Sequence, residues 1–547
     1  MKAYYINCVL LGLTICFAGG CKKYLDINSD PDTPQQPDAS SVFPAMLAGI
    51  PRGIQFDSRY IARYTQNYLS SASGRPVSEL NWDNHGFFGF PTASDAGGDI
   101  WRQCYYGLGA NLNYIINEGV KRGQWDYAGA AYALKAYMFQ SCTDVYGEII
   151  YNEAFKENTS TFRYDDQPTV YKGVDSLCRL ALNYLRNTEL SSTNTLLSKG
   201  DFVYNGNTAL WIKFVNGLLA RNFHRRSKKA DYNADSVIFY ADRSFSSVTD
   251  DCLIPFDASK TDDTNFFGPY RDNMTFLRQS NFIVKMLDGT TLGGASFLQN
   301  RDPRIKQMLA ASQDTTNGNG GYRGVDPATG DLGATTRRVA VPWGDSTYAN
   351  PSASRFDPGR GKYLFRDKAV SPVMTYSEIQ FIKAEAAFKN NKQTAYTAYL
   401  NGINAHFDFI NRSVFPRANV PLYTGNSISP AERTAYLNGN NVKRDAATLT
   451  LTDIMLQKYI ALWGWGFIET WVDMRKYHYT DPDEATGKPV YNGWVIPASL
   501  PAANQGKYAY RIRPRYNSEY VWNRPELDRI GATAPNYHTF EMWFSQP

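Results

Sequence analysis

Three acidic residues near one predicted helix end are the candidates for acid–base chemistry in this sequence. Asp144, Glu148 and Glu153 lie close together along the chain. Hydrolysis of a glycosidic bond needs two carboxyl groups about 5 to 9.5 Å apart, a distance that a sequence does not show. The polar ends of a helix explain the same three residues equally well. We therefore assign no catalytic residue.

Motifs for metal-dependent, nucleophilic or nucleotide chemistry do not occur. The sequence has no HExxH and no GxSxG, and Gly359–Tyr363 lacks the Ser or Thr that ends a phosphate-binding loop. Five histidines lie far apart, and none is spaced from another as metal ligands on one helix are. They are His85, His224, His406, His478 and His538. We predict neither a metal site nor a cofactor, and interpret these histidines as structural or solvated.

Aromatic residues beside amides and acids are the side chains that suit sugar recognition. Rings make up 14% of the chain, and a ring can stack on a sugar face while neighbouring polar groups bond its hydroxyls. Three loops carry this mixture: residues 81–88, Phe266–Asp272 and Trp343–Tyr348. The predicted ligand-binding residues are Trp82, Asn84, Phe87, Phe88, Tyr270, Trp343 and Tyr348. The first loop is favoured, although an ordinary packed loop has the same composition.

Amphipathic helices are predicted to hold these loops in place. Apolar residues recur every three or four positions in several segments, which indicates one buried face on each helix. The segments are Trp101–Ile116, Tyr127–Cys142, Val170–Leu185, Thr208–Arg226, Asn281–Leu287, Thr375–Lys389 and Thr452–Arg475. Such separate helices suggest stacked pairs, but the sequence has no clean 34-residue consensus repeat.

The pattern divides the chain into a helical framework and loop-rich parts. Between residues 252 and 374 Gly, Asp, Asn, Ser and Thr dominate, and a polar segment of that length is either functional or disordered. We predict a single mainly α body at 41–547, with framework at 41–251, 375–407 and 452–476. The loop-rich parts are 252–374, 408–451 and 477–547.

The first 40 residues predict secretion and a lipid anchor. Residues 1–20 have a basic start, the apolar run Val9–Ala18 and small residues before Cys21, as a signal peptide does. The run is too short to span a bilayer. We predict that Cys21 is lipidated and that residues 21–40 form a polar tether. Cys16 is rejected as the lipidated residue because Ile15 is too large to precede the cleavage point, and ordinary secretion with cleavage near Gly20 is the alternative.

Charge and cysteine content restrict the protein's class further. The formal charge of +5 over 547 residues, without long basic runs, argues against a nucleic-acid partner. Four cysteines remain after Cys21, and their spacings match no zinc pattern. They are Cys104, Cys142, Cys178 and Cys252. We interpret them as small buried apolar residues.

Several motifs in the same order resemble those of the SusD/RagB-like outer-membrane nutrient-binding lipoproteins. The resemblance runs over nearly the whole mature chain. It includes the start at Cys21–Asn28, the helix with Trp101, the Ala131–Ala154 segment, Asp201–Arg226 with Trp211 and Arg221, Asp302-Pro303-Arg304, Tyr376–Phe388, and Gln457–Arg475 with Trp463 and Trp471. Arg513–Glu519 departs from the usual ending of the family.

The resemblance implies a fold, a location and a partner. The fold would be mainly α, with tetratricopeptide-like helix pairs and a large loop-rich ligand-binding portion. The protein would lie at the cell surface on the outer membrane, over a TonB-dependent SusC-like transporter, to which it delivers captured oligosaccharides or polysaccharides. Family members are usually not enzymes, and matched tryptophans such as Trp211 would be buried framework. A peptide-binding member of the family, or a surface glycoside hydrolase, is the alternative.

Overall fold

The structure is a computed structural model that describes most of the chain beyond the predicted tether. The described residues are 37–71, 97–190, 196–294, 301–344 without 332 and 334, 361–412, 414–415, 420–421, 427–497, 500 and 502–547. Five of the seven predicted ligand-binding residues, and the predicted lipidation site Cys21, lie outside these ranges; the five are Trp82, Asn84, Phe87, Phe88 and Tyr348.

Helices dominate the described residues, as predicted. Several of the longer helices start at a residue whose side chain accepts a hydrogen bond from a free backbone N–H. The longer helices also pack their apolar residues on neighbouring helices. They are α1 Ala39–Tyr64, α2 Asp99–Arg102, α3 Gly109–Lys121, α4 Trp125–Tyr146, α5 Gln167–Arg186, α6 Thr208–His224, α7 Ala234–Arg243, α8 Asn281–Leu287, α9 Ile305–Met308, α10 Tyr376–Ala387, α11 Lys392–Asn411, α12 Pro430–Leu437, α13 Leu451–Leu462, α14 Phe467–Lys476 and α15 Arg524–Arg529.

Successive helices pack on one another in a continuous series. Helix α3 packs on α4, α4 on α5, α5 on α6 and α6 on α7, and the series continues from α7 to α10 and from α10 to α11 and α13. The loops between α3 and α4 and between α10 and α11 are only a few residues long, as in helical hairpins. This is the predicted arrangement of stacked helix pairs.

Sheet structure is confined to short antiparallel pairs within the described residues. Strand β1 pairs with β3, β2 with β6, β4 with β5 and β7 with β8. The strands are β1 Tyr68–Ser70, β2 Cys252–Phe256, β3 Leu277–Gln279, β4 Gly361–Lys362, β5 Phe365–Arg366, β6 Ala369–Met374, β7 Val414–Phe415 and β8 Val420–Pro421. The predicted loop-rich parts therefore contain short strands: β4–β5 and β7–β8 pair with the next strand along the chain, whereas β1–β3 and β2–β6 join segments that are distant in sequence.

Three element boundaries differ from the prediction. Helix α1 begins at Ala39, inside the predicted tether, because Asp38 accepts a hydrogen bond from the Ser40 N–H at 2.9 Å and caps the helix. The segment Thr452–Arg475 is two helices, and Gly464 between them has a φ of +90°. Helix α12 lies in the predicted loop-rich part, where Ser429 and Glu432 form a capping box.

Buried ion pairs connect the helices of the framework. Arg221 on α6 makes two hydrogen bonds with Glu378 on α10, at 2.5 and 2.6 Å. Arg225, one turn further along α6, bonds Asp144 on α4 and Glu469 on α14, each at 2.7 Å. All five side chains are buried. Charged groups in such an interior must be paired, so these contacts fix how four helices lie against each other.

The tryptophans and cysteines lie where the sequence predicted. Trp211, Trp463 and Trp471 are fully buried. The Trp211 Nε1–H donates to Asp201 Oδ2 at 2.8 Å, so its polar atom is satisfied within the core. The four cysteines of the described residues are free and buried. The prediction that the matched motifs are mainly framework is confirmed.

Candidate functional site

One face of helix α1 carries rings gathered around an arginine. Phe56, Arg59 and Tyr60 are three and four residues apart, so they lie on one side of the helix. The Arg59 guanidinium lies 4.3 Å from the ring centroid of Phe56 and 5.3 Å from that of Tyr60. It also lies 5.1 Å from the ring of Phe266, which belongs to the loop after β2. All four side chains are only partly buried.

Buried amides hold that loop against α1. The Gln55 Nε2–H donates to Asn265 Oδ1 at 3.0 Å, and the Asn265 side chain donates to two carbonyls of the β4–β5 hairpin at 2.7 and 2.9 Å. The Tyr270 N–H donates to Asp367 Oδ1 at 2.9 Å. A Cβ on Gly268 would lie 2.4 Å from that oxygen, so only glycine fits there. The loop is therefore held from both ends.

The loop between β2 and β3 ends beside β1, the strand that precedes residues 72–96. Strand β1 pairs with β3, and the Ser71 N–H donates to the Phe276 carbonyl at 2.8 Å. The Phe276 side chain is 73% exposed. We define the loop face as Phe56, Arg59, Tyr60, Phe266, Tyr270 and Phe276. Its rings come from α1 and from the loop between β2 and β3, and Phe276 lies beside the start of the segment that contains the predicted Trp82.

The predicted ligand-binding residues have three different outcomes. Trp82, Asn84, Phe87, Phe88 and Tyr348 lie outside the described residues and stay predictions. Tyr270 is part of the loop face and half-buried. Trp343 is fully buried in the main hydrophobic cluster, so its ring presents no open face to a sugar, and the prediction for it is corrected.

Sequence reasoning missed Phe56, Arg59 and Phe276. The first two lie on an amphipathic helix whose partly polar face looks like ordinary solvent contact, and Phe276 is a single ring next to a short strand. The sequence does show Arg59 three residues after Phe56 and directly before Tyr60, a spacing that places the three side chains on one side of a helix. It became meaningful only when the structure placed Phe266 beside them.

A buried carboxyl group lies under the loop face. Asp57 Oδ2 accepts a hydrogen bond from the Ile100 N–H at 2.7 Å, at the start of α2, which follows residues 72–96. Burial raises the pKa of Asp57 to about 8, against the lowering effect of that hydrogen bond. Burial also lowers the pKa of Arg59. Burial thus favours the protonated carboxyl, and its bond to the Ile100 N–H anchors the chain at the start of α2.

The acids considered for catalysis are engaged in structural contacts. Asp144 is fully buried and accepts bonds from Arg225 at 2.7 Å and from the Tyr171 hydroxyl at 2.7 Å. Glu148 pairs with Arg511. Glu153 accepts a bond from the backbone of a neighbouring loop. Asp144 therefore cannot reach a substrate from where it lies.

The described residues contain neither a cluster of metal ligands nor a membrane-spanning helix. Nowhere in these ranges do three His, Cys, Asp or Glu side chains gather as a metal site would require. Within the same residues, no helix combines the length and the apolar character needed to cross a membrane.

A family profile matches residues 76–500 of this chain. Its description is "Starch-binding associating with outer membrane", and the family is SusD-like. The chain belongs to the SusD-like family. This confirms the resemblance, since the matched range contains the helices α2–α14 and the loop between β2 and β3.

Solved structures show that the SusD-like fold extends over most of the chain. A chitin-binding protein is 19% identical, with a TM-score of 0.68, over 93% of this chain and 100% of that one. A SusD/RagB family protein from Bacteroides thetaiotaomicron is 20% identical, with a TM-score of 0.66, over 93% and 99%. A chitin-binding SusD homolog from Flavobacterium johnsoniae is 19% identical, with a TM-score of 0.65, over 93% and 98%. No functionally curated protein matches the sequence.

Proposed function

We propose that this SusD-like protein captures oligosaccharides or polysaccharides at the loop face and delivers them to a TonB-dependent SusC-like transporter in the outer membrane. The observation that carries the proposal is the family match, whose description names starch binding and association with the outer membrane. Two of the similar structures described above are of chitin-binding proteins. The family description thus names starch, and the descriptions of these two structures name chitin, and both are carbohydrates.

The loop face has the chemistry that a neutral glycan requires. Sugar rings have apolar C–H faces that stack on aromatic side chains, and their hydroxyls need donors and acceptors. Phe266, Tyr270 and Phe276 are rings of the loop itself, and Arg59 is a cation held between three rings. We assign the remaining contacts to Trp82, Asn84, Phe87, Phe88 and Tyr348.

The proposal treats the protein as a binding protein without catalytic activity. The family description names binding, and Asp144, the catalytic candidate on α4, is enclosed by its partners Arg225 and Tyr171. A surface glycoside hydrolase would need a pair of accessible carboxyl groups, one as acid and one as base or nucleophile. A peptide-binding role would favour a charged face over the aromatic one. These remain the alternatives that the experiment below separates.

Location follows from the first 40 residues. We propose cleavage after residue 20, lipidation of Cys21, a tether that ends at Asp38 and one body at the cell surface that begins with helix α1 at Ala39. Helix α1 starts at Ala39, so at most 18 residues, Cys21–Asp38, connect the lipid to the fold. Fully extended, they reach about 60 Å, which is enough to place the loop face over a neighbouring transporter.

Affinity electrophoresis tests this function. The soluble form, residues 22–547, which keeps every described residue, is run in native gels with soluble starch, glycol chitin and other polysaccharides. We expect retardation by at least one of them, and weaker retardation of the variant Tyr270→Ala/Phe276→Ala. Phe239→Ala is the matched control. Phe239 is likewise an exposed ring beside an arginine, with 47% of its surface exposed and Arg243 over its face, but it lies on α7 and is not part of the loop face.

Each outcome of the gels is decisive. Retardation of the control but not of the loop-face variant supports capture at the loop face. Equal retardation of both places capture elsewhere. Migration unchanged by every polysaccharide contradicts glycan binding and favours the peptide alternative, and shortening of the polysaccharide contradicts the assignment as a binding protein.

A further inference from the structure

A wide cavity opens between the end of α4, the segment that follows α14 and the chain from residue 496 to residue 546. Its volume is about 690 Å³, inside the range of roughly 300 to 1,000 Å³ in which small-molecule sites fall. We call it the tail cavity, and its lining includes Glu148, Ile496, Lys507, Tyr510, Phe540 and Glu541. It shares no residue with the loop face.

Hydrogen bonds within the protein hold the walls of the tail cavity in place. The Ile512 N–H donates to the Val145 carbonyl at 3.0 Å, which ties this part of the chain to the end of α4. The Arg511 guanidinium donates to the Phe540 and Glu541 carbonyls at 3.0 and 2.9 Å. The cavity therefore has its shape before any ligand arrives, as binding sites usually do.

Four side chains of the lining are accessible to solvent and keep a polar atom that makes no hydrogen bond with the described residues. Lys507 is exposed and Tyr510 is partly exposed, and the free atoms are the ammonium and the hydroxyl. The Glu148 and Glu541 side chains are 30% and 34% exposed. Each carboxylate bonds through one oxygen, Oε2 in Glu148 and Oε1 in Glu541, which leaves the other for a ligand.

Apolar groups line the same cavity. Phe540 and Ile496 are each 37% exposed. The Tyr510 ring centroid lies 6.5 Å from that of His478 and 5.7 Å from that of Tyr479, so the ring is supported from within. The apolar face of a sugar packs on such groups, while its hydroxyls, which both donate and accept, pair with the free polar atoms.

The charges of the lining nearly cancel. It carries two carboxylates, of Glu148 and Glu541, and two cations, Arg511 and Lys507. His478 adds a charge only when it is protonated. Because binding favours a ligand whose charge complements that of its site, this balance suits an uncharged ligand better than an anion or a cation.

The tail cavity lies close enough to the loop face for one long ligand to touch both. The Gln66 Nε2–H donates to the carbonyl of Val495, which is 61% exposed and precedes Ile496, at 2.7 Å. Ser71, whose N–H donates to the Phe276 carbonyl, follows Gln66 by five residues. Five residues span at most about 18 Å, so the two sites are joined through a short stretch of the surface.

We propose that the tail cavity is a second binding site for a neutral oligosaccharide, which would pack on Tyr510 and Phe540 and bond Lys507, Glu148 and Glu541. The class of ligand rests on the proposed function, whereas the position rests on the accessible polar atoms and rings of the cavity. A second site lets one protein hold a long glycan at two points and so raises its overall affinity.

Fluorine NMR of a labelled thiol tests the proposal. The substitution Gln546→Cys places a cysteine at an exposed residue of the lining, which is labelled with a trifluoromethyl group in the soluble form, residues 22–547. The four native cysteines of the described residues are buried and escape the label. Maltoheptaose and chitohexaose are the probes. We expect at least one of them to shift the fluorine resonance in a saturable way, both in this protein and after Tyr270→Ala/Phe276→Ala is added.

Two further variants of the labelled protein make the test specific. Lys507→Met/Tyr510→Phe removes two free polar groups but keeps their apolar parts, so the affinity read from the shift should fall at least about fivefold. Lys199→Met is the matched control, because Lys199 is also exposed but lies outside the cavity, and it should leave the affinity unchanged. Unaltered melting curves for both variants show that folding is intact.

The outcomes separate this proposal from the proposed function. A resonance that neither probe shifts, a shift that disappears with the loop-face substitutions, or equal affinity of the cavity variant and the control overturns the second site. If the gels still show capture that depends on the loop face, the proposed function stands without it. A saturable shift that survives the loop-face substitutions supports the tail cavity, even where those substitutions leave retardation in gels unchanged.

Discussion

The ion pair between Arg221 and Glu378 is predicted to be essential for the stability of the helical framework. The Arg221 side chain is 2% exposed and that of Glu378 is fully buried. Their two hydrogen bonds are accompanied by a third, from Arg221 Nη2–H to the Val373 carbonyl at 2.9 Å. In Arg221→Met the apolar stem is kept, but the Glu378 carboxylate loses the cation that contacts it.

The cost of this change follows from the unpaired charge. Removing one partner of a buried pair typically costs about 3 to 5 kcal/mol. Burial already raises the pKa of Glu378, and Arg221 opposes this, so the variant raises that pKa further. A folded-state pKa above the unfolded one gives stability at low pH that is lost as the pH rises. The loss should therefore be larger at pH 8 than at pH 5.

Urea unfolding of the soluble protein, followed by circular dichroism at both pH values, measures the free energy of unfolding. Arg179→Met is the matched control, because Arg179 pairs with Asp175 at 2.8 Å on an exposed helix surface, where such a pair contributes less than about 1 kcal/mol. The double variant Arg221→Met/Glu378→Leu should recover part of the loss. If Arg221→Met is no less stable than the control at either pH, the reasoning is refuted.

Three further predictions concern titration and thiols. Asp57→Asn should stabilise the protein relative to the unaltered chain, by an amount that is small at pH 4 and grows up to pH 8, because the native pKa of Asp57 is about 8. Urea unfolding from pH 4 to pH 8 measures the difference in free energy of unfolding between the two proteins. A difference that does not change with pH contradicts the prediction. Burial lowers the pKa of His478, but its hydrogen bonds to Asp481 and Glu541 more than offset this and raise it. The contact is thus strongest at low pH, so hydrogen exchange of residues 539–547, corrected for intrinsic rates, should accelerate from pH 6 to pH 8 and show no such change in His478→Gln. The four buried thiols should react with Ellman's reagent only after urea is added; any rapid reaction of the native protein would show that one of them is accessible.

The helical framework could be predicted because its residues repeat at helical spacing. Trp211, Trp463 and Trp471 were predicted as core from that spacing and from the family motifs, and they are buried. The break at Gly464 and the start of α1 at Ala39 were missed, because a positive φ and a side-chain cap are set by a few atoms and not by periodicity.

The loop face was harder to predict, since tertiary contacts create it. Phe56 and Phe266 are distant in sequence, and their ring centroids lie 6.0 Å apart beside the buried Gln55–Asn265 hydrogen bond. Trp343 has the same local composition as a sugar-binding loop, yet the fold encloses it. Composition identifies rings suited to sugars, whereas exposure decides which of them a sugar can reach.

The central claim is that the protein binds glycan at the loop face without cleaving it. Isothermal titration calorimetry with fragments of the polysaccharide that retards it, followed by chain-length analysis of the recovered carbohydrate, tests both parts. We expect saturable binding by the unaltered protein and Phe239→Ala, binding at least about tenfold weaker by Tyr270→Ala/Phe276→Ala, which is about 1.4 kcal/mol, and unchanged chain lengths. Shortened chains, or equal affinity of the loop-face variant and the control, would contradict the claim.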